Sequence, residues 1–228
     1  MIRRGRDFDA QRAAMVERQL RRREIRDERV LAAMGAVPRE LFVPDEVRRR
    51  AYADAALPIG LGQTISQPWI VAAICQGLRL EGSERVLDVG AGSGYSTAVL
   101  AHLCERVVGI ERFGELAGRA KERLTELGLG NVGVIEGDGS VGYPPEAPYS
   151  GIAVHATAPG PPPSLIDQLA PDARLVMPVA SHGFDMLTVF HRPGDAEVDA
   201  STAAGLDREV IGPCRFVPLI GDEGFADD

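Results

Sequence analysis

Between Arg85 and Val179, short apolar runs alternate with segments of helical periodicity, and this alternation narrows the possible architectures to very few. The pattern predicts strands over 85–89, 106–110, 132–136, 151–155 and 174–179, and helices over 94–104, 114–127 and 163–170. Strands separated by helices pair side by side in parallel, because parallel neighbours need crossover connections. The segment therefore reads as an α/β, Rossmann-like sheet with helices on both faces. Beyond Ser181 the pattern changes: residues 186–192 and 208–219 predict two more strands, joined by a small polar loop into an antiparallel pair at the end of the sheet.

Upstream, the first thirty residues hold ten arginines and six acids, with apolar residues at loosely helical intervals. They predict helices over 9–22 and 27–35 with a solvated charged face. Residues 51–68, AYADAALPIGLGQTISQP, read as neither helix nor strand, but as a connector or a binding loop. Helical spacing returns from Trp69 to Leu80. Three segments are thus expected within one compact domain: an N-terminal helical segment and loop at 1–80, a core at 81–180, and C-terminal strands and tail at 181–228. A chain of 228 residues that is 45% apolar can bury one such core.

Charge and cysteine content limit the function. Thirty-three acids outnumber 25 lysines and arginines, which argues against a protein that coats nucleic acid. No apolar run approaches the roughly 18–20 residues that span a bilayer, and no signal-like core follows the N-terminus. A cytoplasmic monomer without nucleic-acid or membrane partners is expected. Cys75, Cys104 and Cys214 lie far apart with no CxxC spacing, so no metal site is expected.

The chemistry gathers at the ends of the first three predicted strands. DVGAGSG follows the first, where Gly90, Gly92 and Gly94 allow a sharp turn and close ligand approach. The dinucleotide fingerprint would need glycine where Tyr95 stands. Glu111 ends the second strand, 23 residues after Asp88, where a carboxylate can accept both hydroxyls of a ribose. Asp138, in EGDGS after the third, can accept from an adenine amine. Singly, each has an ordinary reading: Asp88 capping the helix or bracing the turn, Glu111 pairing with Arg112 or Arg85, GDG as a plain turn. In order at three strand ends, they describe a site for the adenosine half of S-adenosyl-L-methionine, with S-adenosyl-L-homocysteine as product. Asp88, Ala91, Arg112 and Gly139 complete the expected cofactor contacts.

Several segments resemble, in order, the protein-L-isoaspartate O-methyltransferases: VPRELFVP (37–44), the 51–68 stretch with its GQTISQP, RVLDVGAGSGYSTAVLA, EGDGSVGYP (136–144), ATAP (156–159), PPSLIDQLAPDARLVMPV (162–179) and RFVPL (215–219). The resemblance runs from about residue 10 to 219 and implies a class I methyltransferase sheet with rearranged C-terminal strands. It also implies methyl transfer to the α-carboxylate of L-isoaspartyl residues in damaged proteins or peptides, giving a labile ester that closes to a succinimide. Ser66 becomes the active-site serine, with Thr64 and Ile65 beside it in the substrate loop. Because that carboxylate is ionised at neutral pH, the reaction needs positioning more than a base, and a serine hydroxyl can orient it with one hydrogen bond. His155 departs from the family, which usually has a small residue or threonine there. It is expected on the substrate side, either tuning substrate choice or filling space. The competing readings are a related carboxyl methyltransferase that installs a succinimide in a dedicated peptide, a non-catalytic S-adenosylmethionine-binding module, and a nicotinamide oxidoreductase.

Overall fold

In the computed structural model, which describes residues 2–194 and 197–227, seven strands form one sheet. Five are parallel: β5 (Val132–Glu136), β4 (Arg106–Glu111), β3 (Arg85–Val89), β6 (Tyr149–Val154) and β7 (Leu169–Ala180). β8 (Asp185–His191) and β9 (Asp207–Cys214) follow as an antiparallel meander, so the last strands join the sheet in chain order. The second of these was expected to reach residue 219, but pairing stops at Cys214 and the chain crosses instead to the end of β6, where Thr157 bridges Pro218. The polar loop before β9 begins at Asp195 and Ala196, which lie outside the described residues, as do Met1 and the last tail residue, Asp228.

Successive strand residues point to opposite faces, and each face has its own packed layer. Val86, Val107, Ala153 and Val176 enter the layer that holds α2 (Glu28–Ala36), α3 (Pro68–Leu78), α4 (Tyr95–Ala101) and α5 (Gly114–Glu126). Leu87, Val108, Ile152 and Leu175 enter the other, with Leu165 of α6 (Pro163–Asp167), Tyr149 and Leu219. The helices are unequally shared. The helix expected over 163–170 is cut short because Tyr149 N donates to Gln168 O at 2.8 Å, drawing that stretch into β7.

The N-terminal helix α1 runs Ile2–Met15, further upstream than expected, and continues through a π-turn at Val16–Leu20 and a 3-10 turn at Arg21–Arg23. Asp27 caps α2, its Oδ1 accepting from Arg29 N at 2.8 Å and Val30 N at 3.3 Å. Met15, Leu20, Ile25 and Phe42 are buried in the same layer as α3 and α4, so the N-terminal segment packs on the sheet as part of one core. No described helix is long and apolar enough to cross a membrane.

Candidate active site

The 51–68 stretch holds an unexpected element. β1 (Leu57–Gly60) and β2 (Gln63–Ile65) form a small antiparallel hairpin, turned by Leu61 at φ +52° and Gly62 at φ +71°. Leu57, Ile59 and Ile65 face the core, while Pro58 and Thr64 face out. The signal was present as period-two alternation in LPIGLGQTI, but the turn lacks the asparagine or aspartate that usually marks it. The hairpin lies against the glycine turn: a Cβ on Gly92 would come within 3.2 Å of Ile59 Cδ1.

Ser66, just beyond the hairpin, is held through its backbone. Its carbonyl accepts from Arg39 Nη2 at 2.8 Å, and Arg39 Nε donates to Ala51 O at 2.7 Å. Arg39 is fully buried, with its guanidinium carbon 4.8 Å from the centre of the Tyr95 ring, and burial lowers its pKa from the ordinary arginine value. No carboxylate pairs with it among the described residues. This residue escaped the sequence reading, because nothing local distinguishes a buried arginine from the exposed ones around it.

The glycine turn follows β3. Gly90 N and Ala91 N both donate to Ile110 O, at 2.9 and 3.0 Å, and Gly92 N donates to Glu111 Oε2 at 2.8 Å. Glu111 Oε1 accepts from Phe113 N at 3.0 Å. Burial raises the Glu111 pKa above the ordinary carboxylate value, against the lowering by these hydrogen bonds. Around this turn, at the carboxyl ends of β3, β4 and β6, lies a cavity lined by the turn, Thr64, Ile65, Ser66, Glu111, Arg112, Gly139, His155 and the segment Val217–Ile220. Thr64, Ser66, His155 and Val217 also line a second cleft with Arg23, Trp69, Arg215 and Phe216.

Of the residues expected at a cofactor, Gly90, Ala91, Gly92, Glu111, Arg112 and Gly139 line the first cavity. Three do not. Asp88 is fully buried behind the turn, where Oδ2 accepts from Ser96 Oγ at 2.9 Å and Thr97 Oγ1 at 2.6 Å; it braces the start of α4. Gly94 serves packing, since a Cβ there would lie 3.0 Å from Ala120 Cβ on α5, at a φ of +89° that disfavours other residues. Asp138 faces a neighbouring surface cleft, with Oδ1 accepting from Ser140 N and Oγ and Oδ2 from Asp222 N at 2.8 Å. Burial would raise its pKa, but these bonds and nearby Arg112 hold it below the usual carboxylate value. The tail thus fastens over this side of the site, and Arg112 pairs with Asp227 at 2.7 Å. Its role was not legible, because a short acidic tail usually reads as frayed.

A family profile for protein-L-isoaspartate(D-aspartate) O-methyltransferase matches residues 10–224. Protein-L-isoaspartate O-methyltransferase 1 of Rhodopseudomonas palustris (strain HaA2) is 52% identical over 220 residues, covering 96% of this chain and 86% of that protein. The protein-L-isoaspartate O-methyltransferase of Methanoculleus marisnigri is 47% identical over 216 residues, 94% of each. A solved protein-L-isoaspartate O-methyltransferase superposes with a TM-score of 0.81 at 25% identity, covering 93% of this chain and 67% of that one. A Plasmodium falciparum chain solved with S-adenosyl-L-homocysteine shares the fold, at a TM-score of 0.75 and 24% identity over 92% of this chain and 98% of its own. The chain belongs to the protein-L-isoaspartate(D-aspartate) O-methyltransferase family.

Proposed function

We infer that the protein transfers a methyl group from S-adenosyl-L-methionine to the α-carboxylate of L-isoaspartyl residues in damaged proteins and peptides. The observation that carries this reading is the junction of the two cavities at Thr64, Ser66, His155 and Val217. A cofactor in the glycine-turn cavity and a peptide in the second cleft can meet only there.

The cavity's residues fit the cofactor. Its walls are apolar at Ile59, Val89, Ile110 and Leu219, and a Cβ on Gly139 would collide with Val89 Cγ1 at 2.6 Å, so backbone forms that wall. Glu111, with each oxygen bonded once, keeps lone pairs for ribose hydroxyls. Glu111, Gly90, Gly92 and Gly139 are the residues assigned to hold it. When bound, S-adenosylmethionine supplies a sulfonium methyl that passes to the carboxylate oxygen, whose electron pair forms the new bond while the S–C pair stays on sulfur.

This chain's residues align the partners and exclude water. The Ser66 backbone is fixed by Arg39, while its hydroxyl has no protein partner among the described residues. It is free to donate one hydrogen bond that orients the carboxylate and leaves it unprotonated. Thr64 and Ile65 flank it on the hairpin. The ester then loses its alcohol when the following backbone nitrogen attacks, giving the succinimide. The second cleft, with its exposed Thr64 and Arg215, supports a peptide acceptor over a cofactor-binding role alone.

The test pairs labelled S-adenosylmethionine with peptides that differ only in aspartyl or isoaspartyl linkage. Base-labile label on the isoaspartyl peptide alone is expected; equal labelling, or none despite cofactor binding, overturns the reading. The reading extends to a cytoplasmic monomer without nucleic-acid or membrane partners; the excess of acids supports the absence of a nucleic-acid partner, and sedimentation showing a stable dimer would correct the monomer.

A further inference from the structure

His155 ends β6 against the glycine turn. Its backbone N donates to Val89 O at 2.8 Å, and a Cβ on Gly90 would sit 3.6 Å from His155 Cβ. The side chain is 7% exposed, and Nε2 lies 3.1 Å from Oδ1 of the fully buried Asp88. The two atoms are misaligned for a straight hydrogen bond, yet both are sealed from solvent and neither has another partner among the described residues. Asp88 Oδ2 is already taken by the Ser96 and Thr97 hydroxyls. A bare nitrogen lone pair facing a carboxylate oxygen at this distance is repulsive, so Nε2 carries the proton.

That tautomer decides what the other nitrogen can do. In the neutral ring Nδ1 is an acceptor. It has no hydrogen bond among the described residues and, unlike Nε2, is not sealed. His155 lines both cavities, so an acceptor stands where the two bound molecules meet. The nucleophilic carboxylate offers no donor and would be repelled. Its immediate neighbour does offer one: in an isoaspartyl residue the carbon bearing the free carboxylate also bears a backbone N–H. In an ordinary aspartyl residue the side-chain carboxylate sits on a CH2 group, with no N–H on that carbon.

We propose that His155, held in one tautomer by Asp88, accepts a hydrogen bond through Nδ1 from the N–H on the carbon that carries the isoaspartyl carboxylate. It is a substrate-reading residue, and the assignment rests on the methyl-transfer reading above. His155 thereby helps distinguish the two linkages by a group that only one of them presents beside its nucleophile, while Ser66 orients the carboxylate itself.

The test compares kcat/KM for an isoaspartyl peptide with that for its ester analogue, in which this one N–H is replaced by oxygen. Wild type should favour the amide by about fivefold, the value of one net hydrogen bond. His155→Asn places an amide near the Nδ1 position and should keep the preference. His155→Gln places its amide near Nε2, facing Asp88, and should lose it. Both variants should bind S-adenosylmethionine by calorimetry, with His155→Asn melting below His155→Gln because it withdraws the donor that faces the buried Asp88 Oδ1. An amide preference unchanged in His155→Gln refutes the proposal, as does a loss confined to cofactor affinity, which would assign Nδ1 to the cofactor's amino group. Wild type that methylates isoaspartyl peptides without preferring the amide refutes this inference alone; wild type that methylates none refutes the underlying reading as well.

Discussion

Replacing Arg39 by methionine tests whether the Ser66 loop is positioned from inside the fold. The substitution fills most of the arginine stem but removes the fork that joins Ser66 O to Ala51 O. Two charge-assisted hydrogen bonds contribute about 1.5–3 kcal/mol each, and a desolvated cation over an aromatic ring adds up to about 2 kcal/mol. Opposing them, burying a guanidinium without a counter-ion costs several kcal/mol. The net loss of stability is therefore modest, about 2 kcal/mol, which for a chain of this size lowers Tm by about 4–8 °C. The effect on turnover is larger, because freeing the loop by an ångström costs about 100-fold where alignment carries the reaction. Arg39 does not line the cofactor cavity, so cofactor affinity should stay near wild type. The assay is single-turnover methyl transfer to an isoaspartyl peptide at saturating cofactor, beside calorimetric binding and thermal unfolding. Arg39→Lys should fall between, since one ammonium cannot reproduce the fork. A lowered Tm with wild-type turnover would refute the reasoning and leave Arg39 as a residue of the fold only.

Ser66→Ala should lower kcat by about 10- to 150-fold, the range for a hydrogen bond to a charged group, without changing cofactor affinity; a calorimetric titration showing weaker cofactor binding would contradict the assigned role. Glu111 has a raised pKa, so on acidification its carboxylate protonates above the ordinary value of 4.5; cofactor affinity should begin to fall above that pH, and affinity flat down to it would argue against ribose recognition. Glu111→Gln keeps one acceptor but turns an NH2 toward the other of the two backbone donors, Gly92 N or Phe113 N, so it should lower Tm at neutral pH. Gly94→Ala combines a positive φ with a 3.0 Å approach to Ala120 and should destabilise by about 1–3 kcal/mol, read as a lowered Tm. Asp138 has a depressed pKa, so its hold on the tail contributes stability above its unfolded value near 3.8 and is lost as pH falls below that; Asp138→Asn should make the tail a faster proteolysis target at neutral pH.

Much of the fold was legible because the central parallel strands β3, β4 and β6 are buried on both faces and read as continuous apolar runs. Helix ends were less so: α6 stops early because Gln168 is drawn into pairing with Tyr149, a contact between residues far apart in sequence. At the site, Gly90, Gly92 and Glu111 fall on the cavity where strand position and backbone shape lead one to expect them. Asp88 and Asp138 stand apart from that cavity, held by their own partners. Whether a carboxylate points into a cavity or is consumed by neighbours such as Ser96, Thr97 and Asp222 depends on partners that no local motif specifies. Arg39 and the tail stayed hidden because their work is done across the fold.

The glycine turn has a consequence for the sign of charge it tolerates. Loops that bind phosphate aim several backbone N–H groups outward at the anion. Here the N–H groups of Gly90, Ala91 and Gly92 are spent on Ile110 O and the Glu111 carboxylate, and Gly94 N on Ala91 O. A pyrophosphate entering this turn would exchange its hydration for few donors and a nearby carboxylate. A ligand with a positive centre meets no such barrier, so the backbone itself filters against nucleotide diphosphates before any side chain reads the base.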